Sequence, residues 1–226
     1  WNENIAILSG DALNIIAYMM ISETPSRFIS QVLKIFNDTA LKVCEGQQYD
    51  MDFESSEKVS ENEYLKMIEL KTSVLVAACM KIGAIIGNAS QQYCDNMYLA
   101  GLNFGLAFQL QDDFLDTFGD EKIFGKEIGK DIISNKKTYL LIKALEISNK
   151  IQLAELNKWL SAKNFDNNEK ISKVKTLFEE LHIDILAKQK INEYFSIAMK
   201  YLDLLGSKER IKTLKSYIES LYHRQN

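Results

Sequence analysis

One proline, Pro25, and ten glycines in 226 residues leave this chain with few points at which a helix must stop. The apolar residues recur accordingly. Ile191, Tyr194, Phe195, Ala198, Tyr201, Leu202 and Leu205 are spaced by 3, 1, 3, 3, 1 and 3 residues, which lays one apolar stripe along a helix. Strict alternation of the kind a half-buried strand needs is missing. The pattern predicts an all-α chain with helices near 3–22, 26–46, 61–89, 91–118, 132–149, 151–162, 169–181, 184–205 and 207–222. With 46% apolar residues, no internal repeat and no linker-like segment, residues 1–226 are expected to form a single helical domain. Two connections stand out in it. "QQYDMDFESSEKVS" (47–60) is polar and acidic, and "GDEKIFGKEIGKD" (119–131) carries three glycines and three lysines among its acids.

Thirty-one acids against 27 bases give a net charge of −4, so the surface as a whole offers no footprint for nucleic acid or anionic lipid. An anionic small molecule would need a local basic site. Cys44, Cys79 and Cys94 are odd in number and far apart, which points neither to a disulfide framework nor to a zinc site and fits a reducing, cytoplasmic compartment. Apolar runs such as "SVLVAACM" (73–80) end well short of the roughly 20 residues a membrane span requires. No basic segment followed by an apolar one opens the chain, so no signal-peptide pattern is expected.

The most informative stretch is "FQLQDDFLDTFGD" (108–120), four acids without a base in a Leu- and Phe-rich segment. On a helix, Asp112 and Asp116 share a face and Asp113 sits on its shoulder, so the three carboxylates are expected to converge. Leu99, Leu102, Leu106, Leu110, Phe114 and Leu115 surround them with apolar surface, and Gly101 and Gly105 let a neighbouring helix approach. Carboxylates near the C-terminal end of a helix also face the negative pole of its dipole. A bound cation would relieve both the mutual repulsion and the dipole conflict. Oxygen donors with no His or Cys nearby select a hard ion, Mg2+ or Mn2+ over zinc, and Mg2+ takes one or two carboxylates together with phosphate oxygens. Lys126, Lys130, Lys136 and Lys137 follow the cluster closely, and Lys71 precedes an apolar run in "IELKTSVLVAA". Carboxylates beside such lysines describe a diphosphate site. A DxxxD pair on a helix can equally be a solvated face, and the apolar context is what argues against that here.

These residues match a known family in several places. "GLNFGLAFQLQDDFLD" and "FGKEIGKDIISNKKTYLLIKALE" resemble the second aspartate-rich motif and following loop of the trans-isoprenyl (polyprenyl) diphosphate synthases. "NIAILSGDAL", "CEGQQYDMDF" and "YLKMIELKTSVLVAACMKIGAIIG" are similar to other family blocks, in family order, and the likeness extends through about residue 146. The resemblance implies an isoprenoid-synthase-type helical bundle, homodimeric and Mg2+-dependent. It implies condensation of isopentenyl diphosphate with an allylic diphosphate, of the short-chain farnesyl or geranylgeranyl type. By the same resemblance Asp112 and Asp116 would hold the metal, with Asp113 in support and Asp131 acting through water. Lys71, Lys126 and Lys136 would contact the diphosphate, and Thr72 and Gln109 would lie near the developing carbocation.

Plain structural roles compete for several of these positions. Thr72 could bond back to its own helix, and Gln109 could be a satisfied core amide. Lys130 and Lys137 read as solvated, "GQQYD" (46–50) as a cap or turn, "SGDAL" as a packing element with Gly10 at a close approach, and His182 and His223 as surface residues. The family also has a first aspartate-rich motif with an arginine pair, on a facing helix, and this sequence lacks it. N-terminal helices, about a hundred residues on the family's domain size, are therefore expected to be missing from this chain. The fragment alone is then expected to be inactive. The alternative is a non-catalytic or regulatory subunit of a heteromeric synthase, which would keep the fold and one motif. A class I terpene cyclase ranks lower, because its second metal motif has an Asn and Ser/Thr pattern. A plain helical interaction domain would require the matched blocks to be coincidental.

Overall fold

The computed structural model describes residues 2–120, 127–206 and 208–222, and every regular element among them is helical. In chain order these are α1 (Glu3–Ser22), α2 (Ser26–Ser55), α3 (Glu61–Ile68), a π-helical turn (Glu69–Ser73), α4 (Val74–Ile86) and α5 (Gln91–Phe118). After the Gly/Lys connection come α6 (Lys130–Ile133), α7 (Tyr139–Ile147), α8 (Lys150–Ser161), α9 (Asn167–Glu180), α10 (Ile183–Asp203) and α11 (Lys208–Tyr222).

Local chemistry sets many of the starts. The side chains of Asn2, Ser60, Ser90, Thr138, Asn149 and Asp166 each accept a hydrogen bond from the backbone N–H three residues on. Each thereby satisfies a donor that the first helical turn leaves open. Ser60 with Glu63, and Asn149 with Gln152, complete reciprocal capping boxes.

Three elements depart from the periodicity reading. Helix α2 does not end near residue 46 but runs on to Ser55. Its last turns look polar in sequence, yet Phe53 packs on the core and Asp50 pairs with Lys71 on another element. The expected helix 61–89 is interrupted by the π-helical turn, with no proline or glycine to announce it. The expected helix 132–149 is two helices, because Asn135 adopts a left-handed backbone (φ 55°) and Thr138 starts a new helix.

Helix α5 is the axis of the packing. Its most extensive neighbours are α10 and α4. Leu106, Leu110, Phe114 and Leu115 join Tyr64, Ile68, Leu140, Leu156, Phe178 and Ile183 in the largest apolar core. Ala100 and Phe104 join Ala198, Leu202, Ile211 and Ile218 in a second. The α4–α5 contact is close because two glycines permit it. A Cβ on Gly101 would stand 2.7 Å from Ala77 Cα, and one on Gly105 would stand 2.5 Å from Ser73 Cα.

Helix α1 is the opposite case. It has no buried residue, and Ile7, Leu8, Leu13 and Met20 are 63–70% exposed. Nothing lies within 4 Å of a Cβ placed on Gly10, so the close approach expected at "SGDAL" is not made among the described residues. By length and composition alone α1 could cross a membrane, with a mean hydropathy of 1.6. Reading the sequence run by run hides this, because Ser9, Gly10, Asp11 and Asn14 divide the apolar residues.

Replacing Gly105 by Val should force the π turn at the start of α4 away from α5 and destabilise the protein by about 1–3 kcal/mol, as overpacking does. Chemical denaturation would read the effect, and an unchanged midpoint would contradict the close contact.

Candidate active site

Three elements bring the sequence-selected residues together: the π-helical turn with Lys71 and Thr72, the second half of α5, and the segment from Gly129 to Lys137. The π turn is held from both sides by glycines. A Cβ on Gly46 of α2 would lie 2.7 Å from Lys71 Cα, and Gly105 of α5 lies against Ser73. The wider turn carries Val74 N–H to Glu69 C=O and lets the Ser73 hydroxyl donate to Ile68 C=O at 3.3 Å. Short π segments of this kind are frequent at functional sites.

Lys71 and Thr72 leave the turn toward different partners. Lys71 Nζ lies 2.6 Å from Asp50 Oδ2. The Thr72 hydroxyl donates to Gln109 Oε1 on α5 at 2.9 Å. Thr72 therefore does not bond back to its own helix, and Gln109 is bound at both ends of its amide. Its Nε2 donates to Asp113 Oδ1 at 3.2 Å.

Asp113 is the centre of a polar network. It is 2% exposed, and the buried Tyr64 hydroxyl donates to its Oδ2. Lys136 Nζ stands 3.6 Å from Asp113 Oδ1 and 3.5 Å from Asp131 Oδ1. Burial pushes the Asp113 carboxyl up, while Lys136, Tyr64 and Gln109 act against that shift. Burial would lower Lys136, but Asp113, Asp131 and Asp50 outweigh it and hold the ammonium above its ordinary value.

Asp112 and Asp116 differ from Asp113 in being only partly buried. Asp116 Oδ2 accepts the Asp131 backbone N–H at 2.9 Å, which ties the incoming segment to α5. Asp131 has a carboxyl pushed up to about 7, chiefly by burial and further by the charges of Asp113 and Asp116, although Lys136 opposes the rise. A proton or a cation beside Asp131 relieves that strain.

The expected convergence of Asp112, Asp113 and Asp116 needs correction. Among the described residues no group of three or more His, Cys, Asp or Glu side chains is gathered to hold a metal. Asp113 turns into the core, where its oxygens are engaged by Tyr64 and Gln109, and this leaves Asp112 and Asp116 as the accessible pair. Lys126 and His223 lie outside the described residues. Lys130 is 62% exposed beside Glu127, in keeping with its reading as a solvated lysine. His182 is also exposed, and it starts α10 from a left-handed backbone.

Asp50 is the residue that sequence reasoning missed. It lines a cleft of about 550 Å³ with Phe53, Glu54, Lys136 and Lys137, and it also pairs with Lys71, so Asp50 links Lys71 to the space that Lys136 borders. The motif "GQQYD" did contain the signal, since its last residue lies one helical turn beyond Gly46.

An all-helical chain with an accessible aspartate pair on a buried central helix, flanked by lysines from two other elements, matches the polyprenyl synthetase family model over residues 1–181. The chain belongs to that family. It is 43% identical over 147 residues to a short chain isoprenyl diphosphate synthase of Methanothermobacter thermautotrophicus, covering 65% of this chain and 45% of that protein. A crystal structure of a geranylgeranyl pyrophosphate synthase is 41% identical and superposes with a TM-score of 0.92, covering all of this chain and 70% of that one. A geranylgeranyl pyrophosphate synthase from Corynebacterium glutamicum, complexed with isoprenyl diphosphate and magnesium, shares the fold at a TM-score of 0.87 and 23% identity, covering 98% of this chain and 64% of that one. The chain spans about half the length of the curated relatives it matches.

Tyr64→Phe should cost about 1–3 kcal/mol, because a buried carboxylate loses a hydroxyl donor while the ring volume is kept. Urea denaturation measures the loss, and wild-type stability in this variant would show that the bond does not support Asp113.

Proposed function

We propose that this chain supplies one wall of a prenyl-transfer site, in which an allylic diphosphate is ionised and condensed with isopentenyl diphosphate. The product is of the short-chain, farnesyl or geranylgeranyl type, a reading supported by relatives named as short chain isoprenyl and geranylgeranyl synthases. The observation that carries this reading is the partly exposed pair Asp112 and Asp116 on α5, next to an Asp113–Lys136–Asp131 network, with Lys71 brought in on a separate element and held by Asp50. The matched part of this chain covers about half of the curated relatives, and the rest of the site is assigned to residues outside these 226. The exposed apolar faces of α1 suit burial against those residues and against a second subunit in a homodimer.

The donor set fits Mg2+. It offers carboxylate oxygens only, and Mg2+ takes one or two protein carboxylates together with substrate phosphate oxygens. Asp112 and Asp116 would hold the ion, with Asp131 beside them. When bound, Mg2+ neutralises charge on the departing diphosphate.

The chain's own residues do the remaining work. Lys136, held between Asp113 and Asp131, presents a fixed ammonium whose charge is assured by its acidic neighbours. Lys71 brings a second ammonium, kept in place by Asp50 until an anion competes for it. Thr72 and Gln109, locked to each other, present oxygen dipoles to the carbon from which diphosphate leaves. Dipoles fixed in advance need not reorganise as positive charge develops.

Asp112→Ala in the full-length protein should lower turnover by about 100-fold or more, the scale of losing a group that stabilises transition-state charge. Helicity by circular dichroism should not change, and full activity in this variant would sink the assignment. Chelation of divalent metal should abolish turnover, and added Mg2+ should restore it. The 226-residue fragment alone is expected to give no product from isopentenyl diphosphate and an allylic primer. Steady turnover by the fragment would show that these residues suffice.

A further inference from the structure

Lys170 has no place in the site just described, yet it is one of the most costly residues in the molecule to bury. It lies near the start of α9 and is 0% exposed. Its Nζ donates to Ile133 C=O at 3.1 Å and to Asn135 Oδ1 at 2.7 Å. The same ammonium stands 4.2 Å from the centre of the Phe165 ring. No carboxylate pairs with it among the described residues, and burial pushes its pKa down. Enclosing a cation among neutral acceptors is unfavourable unless the acceptors need it.

Both acceptors belong to one short stretch, the turn that follows α6 and leads directly to Lys136. The neighbour of Lys170 on α9 meets the other end of that stretch. A Cβ on Gly129 would lie 2.5 Å from Ile171 Cδ1, so the two are packed without room for a side chain. Gly129 and Asn135 are the two left-handed residues of the segment, with φ of 84° and 55°. Asn135 is further anchored by its Nδ2, which donates to Leu160 C=O on α8 at 2.9 Å.

Between these fixed points the segment is bonded to α5 and to itself. Gly129 N–H donates to Asp116 C=O at 2.5 Å, and Lys136 N–H donates to Asp131 C=O at 2.9 Å. Asp131 N–H reaches the Asp116 side chain. The backbone from 129 to 136 is thus a strap stretched between α5 and α9.

We propose that Lys170 is a positioning residue: with Ile171 it clamps this strap at its two left-handed residues and so sets where Asp131 and Lys136 stand against α5. Its effect on catalysis rests on the reading of Asp131 and Lys136 given under Proposed function, whereas the clamp itself does not. Methionine at 170 would keep the apolar stem and leave Ile133 C=O and Asn135 Oδ1 without their donor.

Two measurements on the full-length protein test the clamp and its consequence separately. In Lys170→Met, amide exchange over 129–136 should quicken by about tenfold or more, while α4 and the middle of α5 keep their protection. Unchanged exchange in the strap overturns the clamp. Steady-state kinetics with the allylic diphosphate should show kcat/KM lowered by about 10- to 100-fold, the range for residues that orient a site from behind it. That loss should nearly vanish in a Lys136→Ala background, since a residue acting through Lys136 has nothing left to position. Faster exchange with wild-type kinetics, or a loss that multiplies undiminished onto Lys136→Ala, overturns the positioning role. If Lys136→Ala alone retains full activity, the assignment of Lys136 fails, and the clamp is then decided by exchange alone. Should Lys170→Met not fold, Asn135→Gly takes its place, because glycine keeps the left-handed turn and removes only the side-chain anchors.

Discussion

The buried carboxylate of Asp113 is the interaction on which the rest of the site depends. A charge removed from water is tolerated only where donors surround it, and here they come from three parts of the chain. Tyr64 comes from α3, Gln109 from one turn earlier on α5, and Lys136 from the segment after α6. Gln109 in turn fixes Thr72 on the π turn, and Lys136 bridges to Asp131. One buried acid therefore orders groups that lie as far apart in sequence as Tyr64 and Lys136, a separation that only tertiary structure can bridge.

Around that centre the close approach of helices does the positioning. Gly46 and Gly105 grip the π turn from α2 and α5, so its extra residue has nowhere to relax and Lys71 and Thr72 stay at fixed angles. The same glycines let α5 be both the middle of the core and one face of the proposed site. That double use has a cost. Acidic side chains end a helix whose dipole disfavours them, and Asp131 adds a carboxyl held near about 7. Such a surplus of negative charge suits a wall meant to meet a cation.

Much of the helical order was legible because periodicity and caps are local. The bounds of α1 and α5 agree with the apolar pattern, and Ser90 marks the start of α5 as a capping residue should. What failed was non-local. The end of α2 looks like a loop in composition, and only Phe53 in the core and Lys71 opposite Asp50 keep it helical. The π turn has no signature of its own, since it is imposed by glycines on two other helices. Asn135 could be read as a turn residue only once its side chain was seen between Lys170 and Leu160.

By itself, the sequence determined that this chain is helical, that α5 is its apolar axis, and that a family-like cluster of acids and lysines lies along it. Periodicity, capping chemistry and motif spacing are carried within a few residues, so no fold is needed to read them. The division of labour within the cluster was decided by the tertiary structure alone. Asp112 and Asp113 are adjacent and chemically identical, and helical geometry leaves one partly exposed and aims the other at Tyr64. Which acid is offered and which is buried depends on what the rest of the chain places opposite each.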